Sequence, residues 1–310
     1  MPHYAHIYIS PHLDDVICSC GGLIQEQSKR GERVLVVTLF TAGIEDQEEL
    51  PPYLRALHRL WGFHNADPFA LRRAEDLAAL ELVGADHLHA GWSGALYRRS
   101  HDGRFLYTGL GYFGRPAAED LHLLAQMRRL LFRLRRENPD AIFYAPLGVG
   151  GHVDHRLVFQ AARYVPGPLR FYEDIPYVFL GKVSPLVLQV LGIAARLGLR
   201  ANTVSSLGQT GTSLVSALQS RTSLLSGPQL TLLTNRPPRQ NYWRDIVHPI
   251  DLQAKFEAML QYTSQIPMLF GSTQWAWKSL ETYALSIQRG GRRPLERQWA
   301  LQPVLLSHRR

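Results

Sequence analysis

Residues 5–41, AHIYISPHLDDVICSCGGLIQEQSKRGERVLVVTLFT, decide the fold. The run HIYIS at residues 6–10 is β-branched and aromatic, which predicts a strand. Residues 14–30 place Val16, Ile17, Cys20 and Ile24 near helical spacing, and Gly31 follows as a stop signal. RVLVVTLFT at residues 33–41 is almost continuously apolar, as a strand buried on both faces of a parallel sheet must be. The stretch therefore reads as strand, helix, strand, the unit from which parallel sheets are built.

The same alternation continues outward. Residues 71–83 predict a helix, and Gly84 stops it before a strand at 85–89. A long basic helix is expected over 118–137, a strand over 141–145 (AIFYA), a helix over 154–164 and a strand over 169–172. Strands alternating with helices over roughly the first 175 residues indicate an α/β layer fold with a mainly parallel sheet. In such sheets ligands bind beyond the carboxyl ends of the strands.

After Tyr177 the pattern changes. Residues 201–228 are rich in Ser, Thr, Gly and Gln with Arg221 as their one charge, which fits a lid, a mobile loop or two short helices. Asn235–Tyr242 is linker-like through its prolines, and helices are expected over 250–262 and 275–287. The division this suggests is a catalytic core at 1–178, an insertion at 179–245, and a mostly helical C-terminal part at 246–310 packing on the core.

The chain has 310 residues, enough for a substantial core, and 45% hydrophobic with 19% charged residues is the balance of a globular protein rather than a disordered one. Its N-terminus shows no secretory signal, and Cys18 and Cys20, the only cysteines, are too close to form a disulfide framework. A cytoplasmic location is the expectation. The apolar stretch 183–195 is interrupted by Pro185 and is shorter than the ~20 residues that span a bilayer. The net charge of +8 comes largely from arginines, dense at Arg128, Arg129, Arg133, Arg135 and Arg136 and again at 289–293. A basic surface suits anionic substrates and peripheral contact with an anionic membrane. Nucleic acid is disfavoured, because no aromatic interleaving, zinc knuckle or helix-turn-helix signal accompanies the arginines.

Two motifs carry the chemistry. Pro11-His12-Leu13-Asp14-Asp15 sits where the first strand passes into a helix. His12 and Asp15, three apart, face one side of a turn, and imidazole with carboxylate suits zinc. Helix capping needs only one aspartate and leaves His12 unexplained. Gly151-His152-Val153-Asp154-His155 occupies the equivalent corner after the strand AIFYA. Alone, two histidines three apart are a weak signal, with helix-start histidines and a dipole-favoured Asp154 as the simpler account. A parallel sheet brings the two corners side by side, and together they specify a metal site.

The stretches SPHLDDVICSCGG and GGHVDH resemble the signatures of the LmbE-like, or PIG-L, zinc deacetylases, as do Arg72-Arg73-Ala74-Glu75, FYEDIPY at 171–177 and Tyr262-Thr263-Ser264-Gln265. The resemblance implies a Rossmann-like three-layer fold and removal of an acetyl group from an N-acylated amino sugar. It further implies zinc on His12, Asp15 and His155, Asp14 as general base, His152 as oxyanion stabiliser or acid for the leaving amine, Asp154 orienting His152, and Arg72 contacting the sugar or an attached phosphate. Iron(II) would bind the same ligand set. Two positions depart from the family pattern. Gly150 stands where some members carry a tyrosine, and Gly94 stands where many carry a sugar-binding aspartate.

The leading expectation is thus a metal-dependent hydrolase acting on a small amino-sugar conjugate that can carry an anionic group. The alternative is a catalytically weak, zinc-retaining carbohydrate-binding protein. Cys18 and Cys20 lie about 200° apart around a helix, so they read as core rather than as ligands. Gly21-Gly22 reads as close packing on the sheet, His87 and His89 as bystanders, and Trp275 and Trp277 as core or pocket lining.

Overall fold

Apolar runs with no polar face must be covered on both sides, and they are. A computed structural model describes residues 3–43, 50–60, 63, 67–108, 111–180, 243–288 and 293–301. β1 (His6–Ser10), α1 (Asp15–Lys29) and β2 (Val34–Thr38) form the first parallel unit, every residue of both strands buried. α2 (Pro52–Leu60), α3 (Pro68–Val83) and β3 (Asp86–His89) follow. Short 3₁₀ turns at Ala95–Tyr97 and Ala118–Asp120 lead into α4 (Leu121–Glu137), β4 (Ile142–Pro146), α5 (Val153–Ala162), β5 (Leu169–Tyr172) and α6 (Tyr177–Leu180). The C-terminal part supplies β6 (Trp243–Pro249), α7 (Leu252–Met259), α8 (Ile266–Phe270), α9 (Thr273–Ser286) and β7 (Leu295–Leu301).

The strands form one sheet in the order β3-β2-β1-β4-β5-β7-β6. β1 to β5 pair in parallel, while β7 is antiparallel to both β5 and β6. Right-handed crossovers put α1 and α3 on one face and α4 and α5 on the other, in agreement with the packing of α1 on α3 and of α4 on α5. The α/β fold and parallel sheet expected from the sequence are therefore present.

The C-terminal part carries the helices expected of it and two strands besides. Its helices are real, but β6 and β7 extend the sheet by two antiparallel strands. Both strands mix polar and apolar residues, so neither resembles the apolar runs of the parallel half. α3 starts three residues earlier than periodicity implied, because Asp67 accepts the Phe69 N–H at 2.8 Å and Pro68 opens the first turn. The linker at 235–242, the basic run at 289–292 and nearly all of the 179–245 insertion lie outside the described residues. Among the described residues no helix is long and apolar enough to cross a membrane.

From β1 the chain proceeds to β2 and β3 on one side, then returns to β4 and β5 on the other. β1 and β4 are hence the point where strand order reverses, beyond whose carboxyl ends sheets of this kind form their ligand crevice. Beneath it Tyr8 and Tyr144 stack at 4.1 Å between ring centres, and Gln27 bonds both hydroxyls.

Candidate metal centre and active site

The crevice is built from two strand-to-helix corners. At the first, Ser10 Oγ donates to the His12 carbonyl at 2.7 Å, fixing the turn after β1. Asp15, the first residue of α1, turns its carboxylate back to accept the His12 N–H at 2.8 Å. At the second, Gly148, Gly150 and Gly151 adopt φ of 79°, 84° and 80°, a region that side chains resist. The loop so formed ends at His152, the N-cap of α5, whose Nδ1 accepts the Asp154 N–H at 3.2 Å.

His12, Asp15 and His155 meet across the crevice, their ligand atoms within 4.8 Å of one another. His12 Nδ1 lies 3.0 Å from Asp15 Oδ2, and His155 Nε2 lies 3.3 Å from the same oxygen. His155 Nδ1 bonds Asp174 Oδ1 at 2.6 Å, which leaves Nε2 facing the centre, buried and outside hydrogen-bond geometry. A buried imidazole nitrogen that meets only a misaligned carboxylate oxygen is a costly arrangement unless something else binds it. Each of these two histidines also has a carboxylate behind it: Asp174 behind His155, and Asp154 at 2.9 Å from His12 Nε2. Carboxylate-backed histidines around an aspartate are a donor set suited to a divalent cation.

The charges agree. Burial alone would lower the His155 pKa, yet Asp15 and Asp174 lift it well above the ordinary value; Asp15 outweighs burial in the same way at His12. Burial would raise Asp15, but His155 and His12 hold it well below the usual range. The crevice thus stabilises positive charge where a cation would sit.

A second trio, His12, His152 and Asp154, also lies within 4.8 Å. Its donors are already committed. Asp154 accepts from Arg98 Nη1 at 2.5 Å and from the Ala95 N–H at 2.9 Å as well as facing His12, and Arg98 opposes a cation there. His12, Asp15 and His155 remain the better fit.

Asp14 stands beside this set without joining it. Burial, and then the neighbouring Asp15 charge, push its pKa up to about 6, while Arg72 pulls the other way. Arg72 Nη2 reaches Asp14 Oδ2 at 3.4 Å, so in this structure its described partner is the expected base. Asp154 likewise serves His12 more closely than His152, whose Nδ1 is 3.9 Å from Oδ2. His152 is held neutral: burial, then the charges of His12 and His155, outweigh the pull of Asp154 and depress its pKa well below the ordinary value. With Nδ1 engaged as a helix cap, the ring's proton is on Nε2.

Several contributors escaped sequence reading. Asp174 is one, although FYEDIPY contains it. Arg98 is another, bridging Asp154 and, at 2.7 Å, the buried Asp120. Tyr112, Phe113 and Tyr177 form an aromatic wall, with Tyr112 and Phe113 at 5.3 and 5.5 Å from His152 and Tyr177 at 5.3 Å from His155. Glu75 receives Thr263 Oγ1 and both the N–H and Oγ of Ser264, joining two of the resembling segments. Gly22 packs closely against Ile250 and against Glu296 of β7, and His89, expected as a bystander, bonds Asp76.

Comparison with known proteins places this geometry. The PIG-L profile, GlcNAc-PI de-N-acetylase, matches residues 7–165. The 2'-N-acetylparomamine deacetylase of Streptomyces fradiae is 34% identical over 176 residues, 55% of this chain and 57% of that protein. Its counterpart from Niallia circulans is 26% identical over 187 residues, 56% of this chain and 67% of that one. The chain thus spans less than two thirds of the Streptomyces protein. Among solved structures, the A40926 pseudoaglycone deacetylase Dbv21 superposes with a TM-score of 0.64 at 23% identity, covering 97% of this chain and 98% of that one. The zinc inhibited form of teicoplanin deacetylase Orf2 gives 0.66 at 22%, covering 96% and 98%. At such identities these structures establish a shared fold.

Proposed function

This chain belongs to the PIG-L family, and we propose from that premise that it is a metal-dependent N-deacetylase acting on an acetylated amino sugar carried by a larger conjugate. The carrying observation is the convergence of His12, Asp15 and His155, with His155 Nε2 buried, 3.3 Å from Asp15 Oδ2 and outside hydrogen-bond geometry, and Asp14 next to them. Both relatives act, by name, on 2'-N-acetylparomamine, which supports the amino-sugar class.

In this reading His12, Asp15 and His155 hold the cation. Zinc suits two imidazoles and a carboxylate, and iron(II) is the second candidate. When bound, such an ion polarises a carbonyl and lowers the pKa of water from 15.7 to about 7.

The remaining groups divide the proton work. Hydrolysis joins the water oxygen to the acyl carbon, breaks the C–N bond, and yields acetate and a free amine. Asp14 receives the proton of the attacking water and returns it to the departing nitrogen. An acidity near neutral is what both directions require. His152, neutral with its proton on Nε2, donates a hydrogen bond to the carbonyl oxygen as charge gathers there. Asp154, fixed by Arg98 and the Ala95 N–H, holds the His12 ring. Arg72 keeps Asp14 in place through its 3.4 Å contact and is assigned to the sugar or an attached phosphate.

Removal of the metal tests the reading. Amine release from an N-acetylglucosaminyl glycoside and from 2'-N-acetylparomamine is measured before and after chelation, then with zinc or iron(II) restored. Release that disappears with chelation and returns with metal is expected. A metal-loaded protein that binds these sugars and frees no amine is a binding protein, and the proposal fails.

A further inference from the structure

We propose that Arg98 is a positioning residue that couples the two sides of the site. With one amino group it holds Asp154 against His12, and with the other, through Asp120, it holds the segment that carries Tyr112 and Phe113. The inference rests on the deacetylase reading and adds that a proposed metal ligand and the aromatic wall are set by one guanidinium.

The first observation is how Arg98 is enclosed. Its Nη1 donates to Asp154 Oδ1 at 2.5 Å and to the Ser93 carbonyl at 3.2 Å, and its Nη2 donates to Asp120 Oδ2 at 2.7 Å. Both carboxylates are wholly buried and Arg98 is nearly so. Two carboxylates stand against one guanidinium, and Arg98 Nε and Asp120 Oδ1 have no hydrogen-bond partner among the described residues. Apolar side chains of similar volume are often at least as stabilising as a buried ion cluster, and this cluster is incompletely satisfied. Stability alone is a poor account of it.

The second observation is where its two ends lead. Inward, Asp154 Oδ2 lies 2.9 Å from His12 Nε2, which leaves His12 Nδ1 to face Asp15. Outward, Asp120 accepts the Tyr107 hydroxyl at 2.6 Å, and that oxygen accepts the Ala117 N–H at 2.7 Å. Ala117 and Asp120 lie at one end of the segment 111–120. Near its other end the Tyr112 carbonyl accepts the Val153 N–H at 2.8 Å, and Phe113 bridges to His152. A continuous line of polar contacts therefore runs from His12 to the segment whose rings lie beside His152.

The third is the local backbone. Between β3 and α4 the described chain forms only the 3₁₀ turns at Ala95–Tyr97 and Ala118–Asp120 and isolated bridges. With no strand ladder to fix its register, this stretch is placed against α5 largely by side chains. The planar fork of an arginine meets two carboxylates in fixed directions, which the single ammonium of a lysine does not.

Arg98→Lys and Tyr107→Phe cut this line at different points. Zinc affinity is read by competition with a chromogenic chelator, and kcat and KM on an N-acetylglucosaminyl glycoside, all below the thermal midpoint of each variant. In Arg98→Lys zinc affinity is expected to weaken by about 10–100-fold and KM to rise about fivefold, while saturating zinc returns most of kcat. Tyr107→Phe loses only the outer bond, so KM rises by a similar factor and zinc affinity stays at the wild-type value. Asp120→Asn keeps the shape of the bridge and weakens its hold on Arg98. It shows the paired loss at smaller size, and it carries the test if Arg98→Lys does not fold.

A lowered midpoint in Arg98→Lys and Asp120→Asn with zinc affinity and KM both unchanged would make Arg98 a folding residue and overturn the proposal. Zinc affinity falling alone would overturn it too, since the two sides would not share a mounting, as would an equal fall in Tyr107→Phe. A wild-type protein that binds zinc and releases no amine overturns the deacetylase reading itself, an outcome distinct from these.

Discussion

Helix α1 touches two buried polar clusters, and they are finished differently. Midway along it, Glu296 of β7 accepts the Gly22 and Leu23 N–H groups at 3.1 and 2.9 Å and pairs with Lys255 Nζ at 2.7 Å. Lys255 in turn donates to the Ser19 carbonyl at 3.2 Å. Both side chains are almost wholly enclosed, yet the charges have partners on every side. At the N-terminus of the same helix, among the described residues, His155 Nε2 meets Asp15 Oδ2 at 3.3 Å outside hydrogen-bond geometry, and the Asp14 carboxylate has only the 3.4 Å contact with Arg72. Burial and charge are comparable in the two places. What separates them is that one cluster is completed by the protein itself, so it fastens the C-terminal part to α1. In the proposed function the other is completed by the cation and substrate it would bind.

The contrast breaks most sharply at Asp14. Asp14→Asn keeps the volume and removes the proton acceptor, without touching the three proposed ligands. Amine release should fall by about 10²–10⁴-fold, with metal content equal to wild type. Its thermal midpoint should hold or rise, because the substitution relieves repulsion between neighbouring carboxylates that already lifts the Asp14 pKa to about 6. A variant that unfolded readily would show that Asp14 is structural, and the distinction between the two clusters would collapse.

The mirror experiment is Lys255→Met. It leaves Glu296 charged and enclosed, a loss of about 3–5 kcal/mol, measured as a lowered urea midpoint. The activity of the fraction still folded should match wild type. Adding Glu296→Gln should recover much of that stability, since the amide oxygen still accepts a helix N–H and no lone charge remains. Recovery without loss of activity would sharpen the view of this cluster as a fastening.

How legible each cluster is follows from the same difference. The site lies at corners where strand and helix periods change, and its residues have short spacings: His12 with Asp15, and His152 with Asp154 and His155. Local sequence therefore exposes it, along with β1, α1 and β2, whose apolar runs have one interpretation. The fastening joins Gly22 to Glu296 across the length of the chain, and nothing local to LERQWAL at 295–301 marks a strand that docks on β5. Partly exposed strands such as β6, with their mixed polar pattern, are chosen by the neighbour they pair with. Roles inside the site were similarly hidden. Asp154 appears in sequence beside His152 but turns to His12 and Arg98, because α5 projects it toward the other corner. Asp174 sits at the end of β5 with no ligand spacing to reveal it.

Asp174 is the residue where both kinds of design meet, and it gives the finest test. Its Oδ2 accepts the Val149 N–H at 2.8 Å, a fastening, while Oδ1 holds His155 Nδ1 at 2.6 Å, a part of the site. In Asp174→Asn the amide oxygen can retain one of these bonds, so the ring keeps its orientation while losing the negative charge behind it. Metal affinity, read by competition with a chromogenic chelator, should weaken by about 10–100-fold, and saturating metal should restore most of the activity. Asp174→Ala removes orientation as well and should weaken binding further. If Asn and Ala behaved alike, orientation would contribute nothing beyond charge. If Asn cost no affinity while lowering the unfolding midpoint, Asp174 would belong wholly to the fastening side, and the Nε2 of His155 would need no carboxylate behind it to bind a cation.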